Sequence, residues 1–465
     1  MGLLLSRREL LTLALVFLLS LPAVTARLYS SDEVQYFSYL RSLYFDRDVS
    51  FENEYRYFYD HGIAQSAGFH ETFLERQTAV GRRVNYATMG CAMLWLPFYA
   101  VADAVVAVTG SAERNGFSKP YVRAVAYGSA FYGFLSVLLS IHAARYSGFG
   151  TRDRGWVEFD ATVWSGVAVW IGTPLIFYMY VAPPFSHAVS AFGVAVFVNV
   201  WLHVRQRWSS GGMFALGICA ALLATIREQD VFVAVGPALD FALARAIPHA
   251  ERLTPRAMVV GGLAGSGGLA IGYLPQLLAY NALNGYLGPA QHVARKMYWY
   301  SPHGPQVLFS PSHGLFIWTP LAALAIVGLV VWAVRAMGDR RRIALVALVM
   351  VASQVYVAGS VASWTVAGAY GQRRFVCLTV VLVMGVAALF AVAKPRVIGV
   401  VVALCVWWNI ALMFQFATGL MDRQRLEPGR NAYHAFVTVP RQAPSLVFRY
   451  LTNRESFYHP PQRIP

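Results

Sequence analysis

The stretch RRELLTLALVFLLSLPAVTARLYSSDEVQYF, residues 7–37, joins a basic start, a long apolar run and an acidic exit. The apolar run begins at Leu10 and is long enough to cross a membrane as a helix. Two carboxylates, Asp32 and Glu33, follow where the chain leaves it. Ser30 and Glu33 have the spacing of a capping box, and acids in a first helical turn favour the positive end of the helix dipole. The acidic pair therefore has two interpretations, a helix cap or a catalytic group.

The composition predicts a membrane protein. Of the 465 residues, 57% are hydrophobic and 13% are charged, whereas a soluble domain carries about 25% charged residues. The net charge of +15 does not predict a nucleic-acid partner, because the basic residues are scattered between apolar segments and form no single patch. Cys91, Cys219, Cys377 and Cys405 all lie in apolar stretches, so free thiols are expected.

Apolar segments recur along the whole chain. Several are shorter than the ~20 residues of a straight span, and together they predict an all-α polytopic membrane protein with about 11–13 transmembrane helices in a single domain, 1–465. Gly261, Gly265, Gly268 and Gly272 have the small-residue spacing of closely packed helices. The segments are 9–27, 87–109, 121–144, 157–176, 187–203, 211–226, 231–245, 257–280, 314–334, 343–358, 375–393 and 397–420.

The distribution of charges predicts how these helices are oriented. Arg7 and Arg8 place the N-terminus in the cytoplasm, so residues 28–86 become the first external loop, with amphipathic helices in the membrane interface. Strict alternation would put the later basic turns outside, whereas a shift by one crossing puts them inside. Segment 87–109, which Pro97 interrupts, is the expected exception, as a re-entrant or interfacial helix. Eleven crossings then remain, or thirteen if another segment splits. The turns contain Arg145, Arg152, Arg154, Arg205, Arg207, Arg245, Arg252, Arg256, Arg335, Arg340–Arg342, Lys394 and Arg396.

With this orientation the unusual residues gather on the outer face. The inner face receives only short basic turns, and the tail 421–465 lies outside. A transporter is expected instead to carry polar groups near the bilayer midplane, for which Gln354 and Asp240 are the candidates. The outer stretches are the first loop, TPLIFYMYVAPPFSH (173–187), IREQD (226–230), the loop 281–313 and WTVAGAYGQRRF (364–375).

These stretches resemble the C-type (GT-C) membrane glycosyltransferases, most closely the bacterial branch related to protein O-mannosyltransferases and lipid A aminoarabinose transferases. The resemblance implies a polyprenyl-phosphate sugar donor, a glycan, lipid or protein acceptor, and transfer on the extracytoplasmic side of the bacterial inner membrane. Where related enzymes often carry a further acid, this chain has Ser186 and His187. The resemblance covers SSDEVQYFSYLRSLYFD (30–46), NYATMGCAMLWLPFYAVAD (85–103), GTPLIFYMYVAPPFSHAVSAF (172–192), FSPSHGLFIWTP (309–320) and AYGQRRF (369–375).

Sugar transfer from a lipid phosphate to a hydroxyl requires a base for the hydroxyl proton and positive charge for the departing phosphate. Asp32 is the predicted base, and Glu33 is predicted to position it or a metal ion. The alternative for both acids is a helix cap. The apolar stripe Val34, Phe37, Leu40 and Tyr44 then faces one side of a helix in the interface.

The phosphate site is predicted from arginines at the outer ends of spans. Arg227, Arg373 and Arg374 have the planar guanidinium that matches phosphate oxygens. One of the adjacent pair is expected to hold the phosphate and the other to face lipid head groups. The alternative is that each arginine is an anchor at the membrane surface.

His187 and His313 are candidates for binding the acceptor, or a divalent cation together with Glu33. The alternative is a structural role for each histidine. No cofactor is required by this chemistry, and a divalent metal is possible.

These residues are predicted to converge on one cleft at the outer membrane boundary. The set consists of Asp32, Glu33, His187, Arg227 and the pair Arg373–Arg374, with a wall formed by Tyr36, Tyr178, Trp299 and Tyr370. The alternative is a rim of independent anchors. The competing functions are a transporter or flippase of lipid-linked glycans, and a membrane scaffold without catalytic activity.

Overall fold

The protein is described by a computed structural model that covers residues 5–150, 160–244, 253–366 and 368–457. Within these ranges the chain forms α-helices and two isolated β-bridges, Gln77 with Arg83 and Met297 with Val361. The first eleven helices are α1 (Arg7–Ser20), α2 (Ser31–Arg41), α3 (Glu52–Asp60), α4 (Ala67–Phe69), α5 (Gly90–Thr109), α6 (Lys119–Ala144), α7 (Ala161–Gly172), α8 (Leu175–Tyr180), α9 (His187–Val204), α10 (Ser210–Ile226) and α11 (Val235–Ala242).

The second part of the chain continues with ten helices, and turns of 3₁₀-helix over Glu228–Ala234 and Arg373–Leu378 lead into α11 and α18. The helices are α12 (Pro255–Asn284), α13 (Gln291–Ala294), α14 (Gly304–Phe309), α15 (Leu315–Trp318), α16 (Pro320–Arg335), α17 (Gly338–Ser360), α18 (Thr379–Val392), α19 (Pro395–Thr418), α20 (Pro428–Tyr433) and α21 (Val439–Thr452).

Seven helical stretches of the described residues are long and apolar enough to cross a membrane. Three shorter apolar helices accompany them: Ala161–Gly172, Ser210–Ile226 and Pro320–Arg335. The predicted all-α fold with several apolar helices is confirmed at this level. The seven stretches are Gly90–Thr109, Lys119–Phe149, His187–Val204, Pro255–Asn284, Gly338–Ser360, Arg373–Val392 and Pro395–Thr418.

The long helices give the bundle two chemically different ends. Helix α9 begins at His187 and ends just before Arg205, and α10 returns to end just before Arg227. The stretch from Arg373 to the end of α18 runs in the same direction as α9 and ends shortly before Lys394. We call the end with His187, Arg227 and Arg373 the site end, and the end with Arg205 and Lys394 the basic end. Four arginines predicted for the basic turns, Arg152, Arg154, Arg245 and Arg252, and the tail residues 458–465 lie outside the described residues.

Buried ion pairs hold the basic end together. Arg145 Nη2 lies 2.6 Å from the Glu9 carboxylate and 2.9 Å from that of Asp160, which joins the ends of α1, α6 and α7. Arg205 Nε lies 2.9 Å from the Asp240 carboxylate and joins α9 to α11. Because a buried charge is costly unless it is paired, these contacts fix the helix ends in register.

Helix α5 and the chain after it contact the segment 28–86. In the first half of the helix, the ring of Trp95 packs edge-on against Tyr36, with centroids 6.5 Å apart. After the helix, the ring of Phe117 stacks on Tyr57 with centroids 4.0 Å apart. The part of the predicted stripe that lies on α2, Val34, Phe37 and Leu40, is buried. Phe37 packs edge-on to the Tyr99 ring at 6.1 Å, so this face of α2 contacts protein.

The glycine spacing in α12 produces the predicted close packing. A Cβ added to Gly268 would lie 2.2 Å from the Phe214 carbonyl oxygen of α10, and one on Gly217 would lie 2.0 Å from the Gly265 oxygen. Both distances are impossible for a real side chain, so only glycine allows the two backbones to meet. The four cysteines are free thiols, as predicted.

Candidate functional site

A cavity of about 110 Å³ lies at the site end of the bundle. Residues from four separate parts of the chain line it, and most of them are polar or charged. Two come from α2, and three are the first residue of α9 and the two residues before it. Two come from the chain after α10, and two from the turn before α18. The nine residues are Asp32, Tyr36, Phe185, Ser186, His187, Arg227, Gln229, Arg373 and Arg374.

Asp32 and Arg373 form an ion pair at the edge of this cavity. Asp32 Oδ2 lies 2.9 Å from Arg373 Nη1, and the two side chains are 42% and 24% exposed. The guanidinium also covers the ring of Phe185, with its carbon 5.4 Å from the ring centroid. The carboxylate is therefore the more accessible partner of the ion pair, while the guanidinium also makes a cation–π contact with the Phe185 ring.

Arg374 and Arg227 lie deeper in the cavity. Arg374 donates to the Ser363 carbonyl oxygen at 2.9 Å and to the Ser363 hydroxyl at 3.1 Å, and the residue is only 8% exposed. It was predicted that one arginine of the pair would face lipid head groups, but the structure places both Arg373 and Arg374 against the same cavity. Arg227 Nη1 is buried and donates to no hydrogen-bond acceptor within the described residues.

The charges of the lining residues do not balance. Three guanidiniums, Arg227, Arg373 and Arg374, face one carboxylate, Asp32. Buried cations attract anions strongly because little water screens them. The arrangement is suited to holding an anionic group with several oxygens, such as a phosphate.

Glu33 lies outside the cavity and caps α2. Its Oε2 accepts from the backbone N–H groups of Tyr29 at 2.9 Å and Ser30 at 3.0 Å, while the Ser30 hydroxyl accepts from the Glu33 N–H, which completes the predicted capping box. Burial raises the pKa of the Glu33 carboxyl to about 8 against these hydrogen bonds. Its predicted role beside Asp32 stays a prediction, and what its contacts show is a cap.

The raised pKa of Glu33 predicts a pH dependence of stability. Between its ordinary pKa of 4.5 and about 8, the unfolded chain ionises Glu33 while the folded protein keeps it neutral. The contribution of the Glu33 carboxyl to the free energy of unfolding is therefore complete below its ordinary pKa and is lost as the pH rises through about 8. Glu33→Gln keeps an oxygen that accepts the same N–H groups and cannot ionise. Its thermal unfolding midpoint in detergent should therefore fall less than that of the wild type as the pH rises from about 5 to about 8. Equal decreases in both proteins would contradict this.

The two candidate histidines have different environments. His187 lines the cavity, is buried, and its Nδ1 has no hydrogen-bond partner within the described residues. The Tyr178 ring packs edge-on against it at 4.4 Å. His313 lies elsewhere: its Nε2 donates to the Ala369 carbonyl oxygen at 2.9 Å, and it stacks on Trp318 at 4.6 Å. Burial lowers the pKa of His313. Its predicted role in binding the acceptor or a metal ion stays a prediction, and what its contacts show is a structural position.

The predicted aromatic wall is only partly present. Tyr36 lines the cavity. Tyr178 and Tyr370 are buried behind it, where the Tyr178 hydroxyl donates to the Tyr370 carbonyl oxygen at 3.2 Å. Trp299 packs instead on Tyr356, with centroids 5.9 Å apart.

Phe185, Ser186 and Gln229 are lining residues that the sequence analysis did not select as site residues. They lie within the stretches VAPPFSH (181–187) and IREQD (226–230). Their proximity in the sequence to His187 and Arg227 is the feature from which their position at the cavity could have been predicted. The Ser186 hydroxyl donates to the Tyr36 hydroxyl at 3.0 Å and joins two walls of the cavity.

The residues around the cavity offer few ligands for a metal ion. Asp32 and His187 line it, while Glu33, the other predicted ligand, faces the backbone of its own helix end. Among the residues that the structure describes, no group of three or more histidine, cysteine, aspartate or glutamate side chains is arranged to hold a metal.

Comparison with known proteins adds no identification. No protein-family model matches the chain, and no curated protein and no solved structure is detectably similar to it.

Proposed function

We propose that the protein is a membrane glycosyltransferase that moves a sugar from a polyprenyl-phosphate donor to a hydroxyl acceptor at the site end of the bundle. The observation that carries the proposal is the cavity in which one exposed carboxylate, Asp32, meets three arginines, Arg227, Arg373 and Arg374. A base beside a cationic phosphate site is what this reaction requires. The resemblance of the outer stretches to the C-type membrane glycosyltransferases supports the same reaction.

The proposed orientation puts the site end outside the cytoplasm. It is supported by the basic turns at the opposite end, which the positive-inside rule assigns to the cytoplasm. Helix α5 contacts the segment 28–86 in its first half through Trp95 and near its end through Asp103, which supports a helix that does not cross. Eleven segments are then proposed to cross the membrane in alternating directions: α1, α6, α7, α9, α10, α11 together with the turn Glu228–Ala234 before it, α12, α16, α17, α18 and α19. The proposed location is the bacterial inner membrane.

In the proposed reaction, the acceptor hydroxyl attacks the anomeric carbon of the donor sugar. The bond from that carbon to the phosphate oxygen breaks, a bond to the acceptor oxygen forms, and Asp32 takes the hydroxyl proton. The polyprenyl phosphate leaves with one more negative charge than the diester had. Arg227 and Arg374 are buried beside that charge, so their attraction grows as the bond breaks.

The ion pair between Asp32 and Arg373 couples donor binding to the base. Asp32 is paired with Arg373 in the ligand-free protein, so this carboxylate oxygen is already occupied by a guanidinium. A donor phosphate competes for the guanidinium of Arg373 and releases the carboxylate for the acceptor. The donor is therefore proposed to bind before the acceptor.

The cavity holds the phosphate end of the donor only. Its volume of about 110 Å³ suits a group of phosphate size, so the sugar lies on the side where Asp32 is exposed and the isoprenoid lies in the lipid. Binding of a divalent metal beside Asp32 and His187 remains compatible with the proposal, but the guanidiniums alone supply the positive charge for the phosphate.

The alternative is a transporter or flippase of lipid-linked glycans. Its midplane candidates both have structural contacts. Asp240 pairs with Arg205 and Arg342 at the basic end, and Gln354 Nε2 donates to the Arg374 carbonyl oxygen at 2.8 Å. These contacts favour the transferase over the transporter.

The purified protein in lipid vesicles is expected to consume a lipid-phosphate sugar. Farnesyl-phosphate hexoses and pentoses are offered one at a time with an extract of bacterial envelope glycans and lipids as the acceptor. Release of farnesyl phosphate, followed by mass spectrometry, is expected for at least one donor. Movement of a fluorescent farnesyl-phosphate sugar across the vesicle membrane without any release would contradict the transferase and identify the flippase.

A further inference from the structure

A buried carboxylate lies directly behind the cavity. Asp230 belongs to the turn Glu228–Ala234, is 1% exposed, and is not among the residues that line the cavity. Ionised groups are rarely buried to this extent without a partner or a task. The reaction proposed above does not use it.

Asp230 contacts three of the segments that supply cavity residues. It accepts from the hydroxyl of Ser190, which lies one turn after His187 on α9. The Cys377 thiol faces the same carboxylate and donates to the Arg374 carbonyl oxygen at 3.3 Å. Asp230 therefore joins the start of α9, the end of α10 and the turn before α18.

The third contact is with Arg227 itself. Asp230 Oδ1 lies 3.7 Å from Arg227 Nη1, and neither atom has a hydrogen-bond partner within the described residues. The carboxylate thus attracts the guanidinium from behind, at a distance longer than a hydrogen bond. Without this charge, Arg227 would be a nearly buried cation facing two other arginines across the cavity.

We infer that Asp230 is a positioning residue, which holds the guanidinium of Arg227 against the anionic group of the ligand. The inference rests on the proposed function, because it gives Arg227 a phosphate to bind. Removing the carboxylate has two opposing effects: it takes away a negative charge near the phosphate, and it frees Arg227 to turn from its position. The second effect is larger, because the oriented hydrogen bonds of a guanidinium depend on its placement.

The test uses farnesyl phosphate as the probe, titrated calorimetrically into the full-length protein in detergent, with farnesol as the uncharged reference. Asp230→Asn is expected to weaken farnesyl phosphate binding about tenfold, a size typical of residues in direct contact. The loss should disappear in an Arg227→Gln background and persist in an Arg373→Gln background. A residue that merely supports the fold would produce the same loss in both.

Several outcomes overturn the inference. These are unchanged or tighter binding by Asp230→Asn, or an equal loss in the Arg227→Gln background. If Asp230→Asn does not fold, Ser190→Ala replaces it, since that variant keeps the charge and removes its hydroxyl donor. A loss of about threefold is then expected in the wild-type background and none with Arg227→Gln. Equal losses would again overturn the inference.

The same titration separates this inference from the proposed function. Wild-type protein that binds farnesyl phosphate no better than farnesol would overturn the donor site, and the role of Asp230 with it. Wild-type protein that prefers the phosphate, together with an Asp230→Asn variant that binds it equally well, would leave the donor site standing and reject only the positioning role.

Discussion

Replacement of Asp32 by asparagine is expected to lower the rate of sugar transfer by about 10²–10⁴-fold, the usual contribution of a positioned general base. The amide has nearly the same shape but cannot take the acceptor proton. It also ends the ion pair with Arg373, whose nitrogen lies 2.9 Å from the carboxylate. The donor KM is therefore expected to stay constant or to decrease, because Arg373 becomes free for the phosphate.

The matched control is Asp60→Asn, an exposed aspartate at the end of α3 in the same segment 28–86. It should transfer sugar at the wild-type rate, measured as turnover per folded protein after size-exclusion chromatography. Asp32→Asn with a turnover close to that of Asp60→Asn would show that Asp32 is not the base. A higher donor KM with an unchanged turnover would give Asp32 a binding role instead.

The double variant Arg373→Ala/Arg374→Ala is expected to lose affinity for farnesyl phosphate by a factor of about 10²–10⁴. Each hydrogen bond to a charged group contributes about 1.5–3 kcal/mol, and a tenfold change in affinity corresponds to about 1.4 kcal/mol. Both guanidiniums line the cavity. Binding of farnesol, which lacks the phosphate, should change little.

Arg295→Ala provides the control for this variant. Arg295 follows α13 and is exposed outside the cavity, so it tests whether the loss of any exposed arginine affects binding. Equal affinities of the wild type and the double variant for farnesyl phosphate would reject the phosphate site. Restored binding in Arg373→Lys/Arg374→Lys would show that charge suffices, whereas continued loss would show that the planar guanidinium is needed.

The experiments on Asp32 and on the arginine pair separate the candidate functions. A transferase loses turnover with Asp32→Asn and donor affinity with the arginine variant. A flippase that recognises the lipid phosphate loses affinity with the arginine variant but keeps lipid movement with Asp32→Asn, because no proton is transferred.

Hydropathy was sufficient to predict an all-α chain with several long apolar helices. Apolar helices must bury their backbone hydrogen bonds inside the membrane, so each long apolar segment becomes a helix irrespective of its neighbours. The predicted segment 257–280 lies inside helix α12, and 187–203 coincides with α9 to within one residue. The runs 9–27 and 157–176 gave shorter helices, because Pro22 follows α1 and the chain breaks at Thr173.

The gathering of distant residues at one end also followed from the sequence. His187, Arg227 and Arg373 each lie where an apolar segment begins or ends, and the alternation of helices places those ends together. The order of residues along the chain did not predict which of the residues at this end contact one another. Trp299 was predicted to belong to the wall of the cavity, yet it packs on Tyr356 and is not among the lining residues.

Thus the sequence by itself determined an all-α fold with apolar helices long enough to cross a membrane, the capping box at Ser30 and Glu33, and the polar residues that share one end of the bundle. These are consequences of local composition and of helix periodicity. Only the tertiary structure decided that Asp32 faces Arg373 while Glu33 faces backbone, that His313 donates to Ala369, and that Asp230 lies behind Arg227. Neighbouring side chains on a helix point about 100° apart. Adjacency in the sequence therefore does not determine which of two neighbours contacts a residue from another helix.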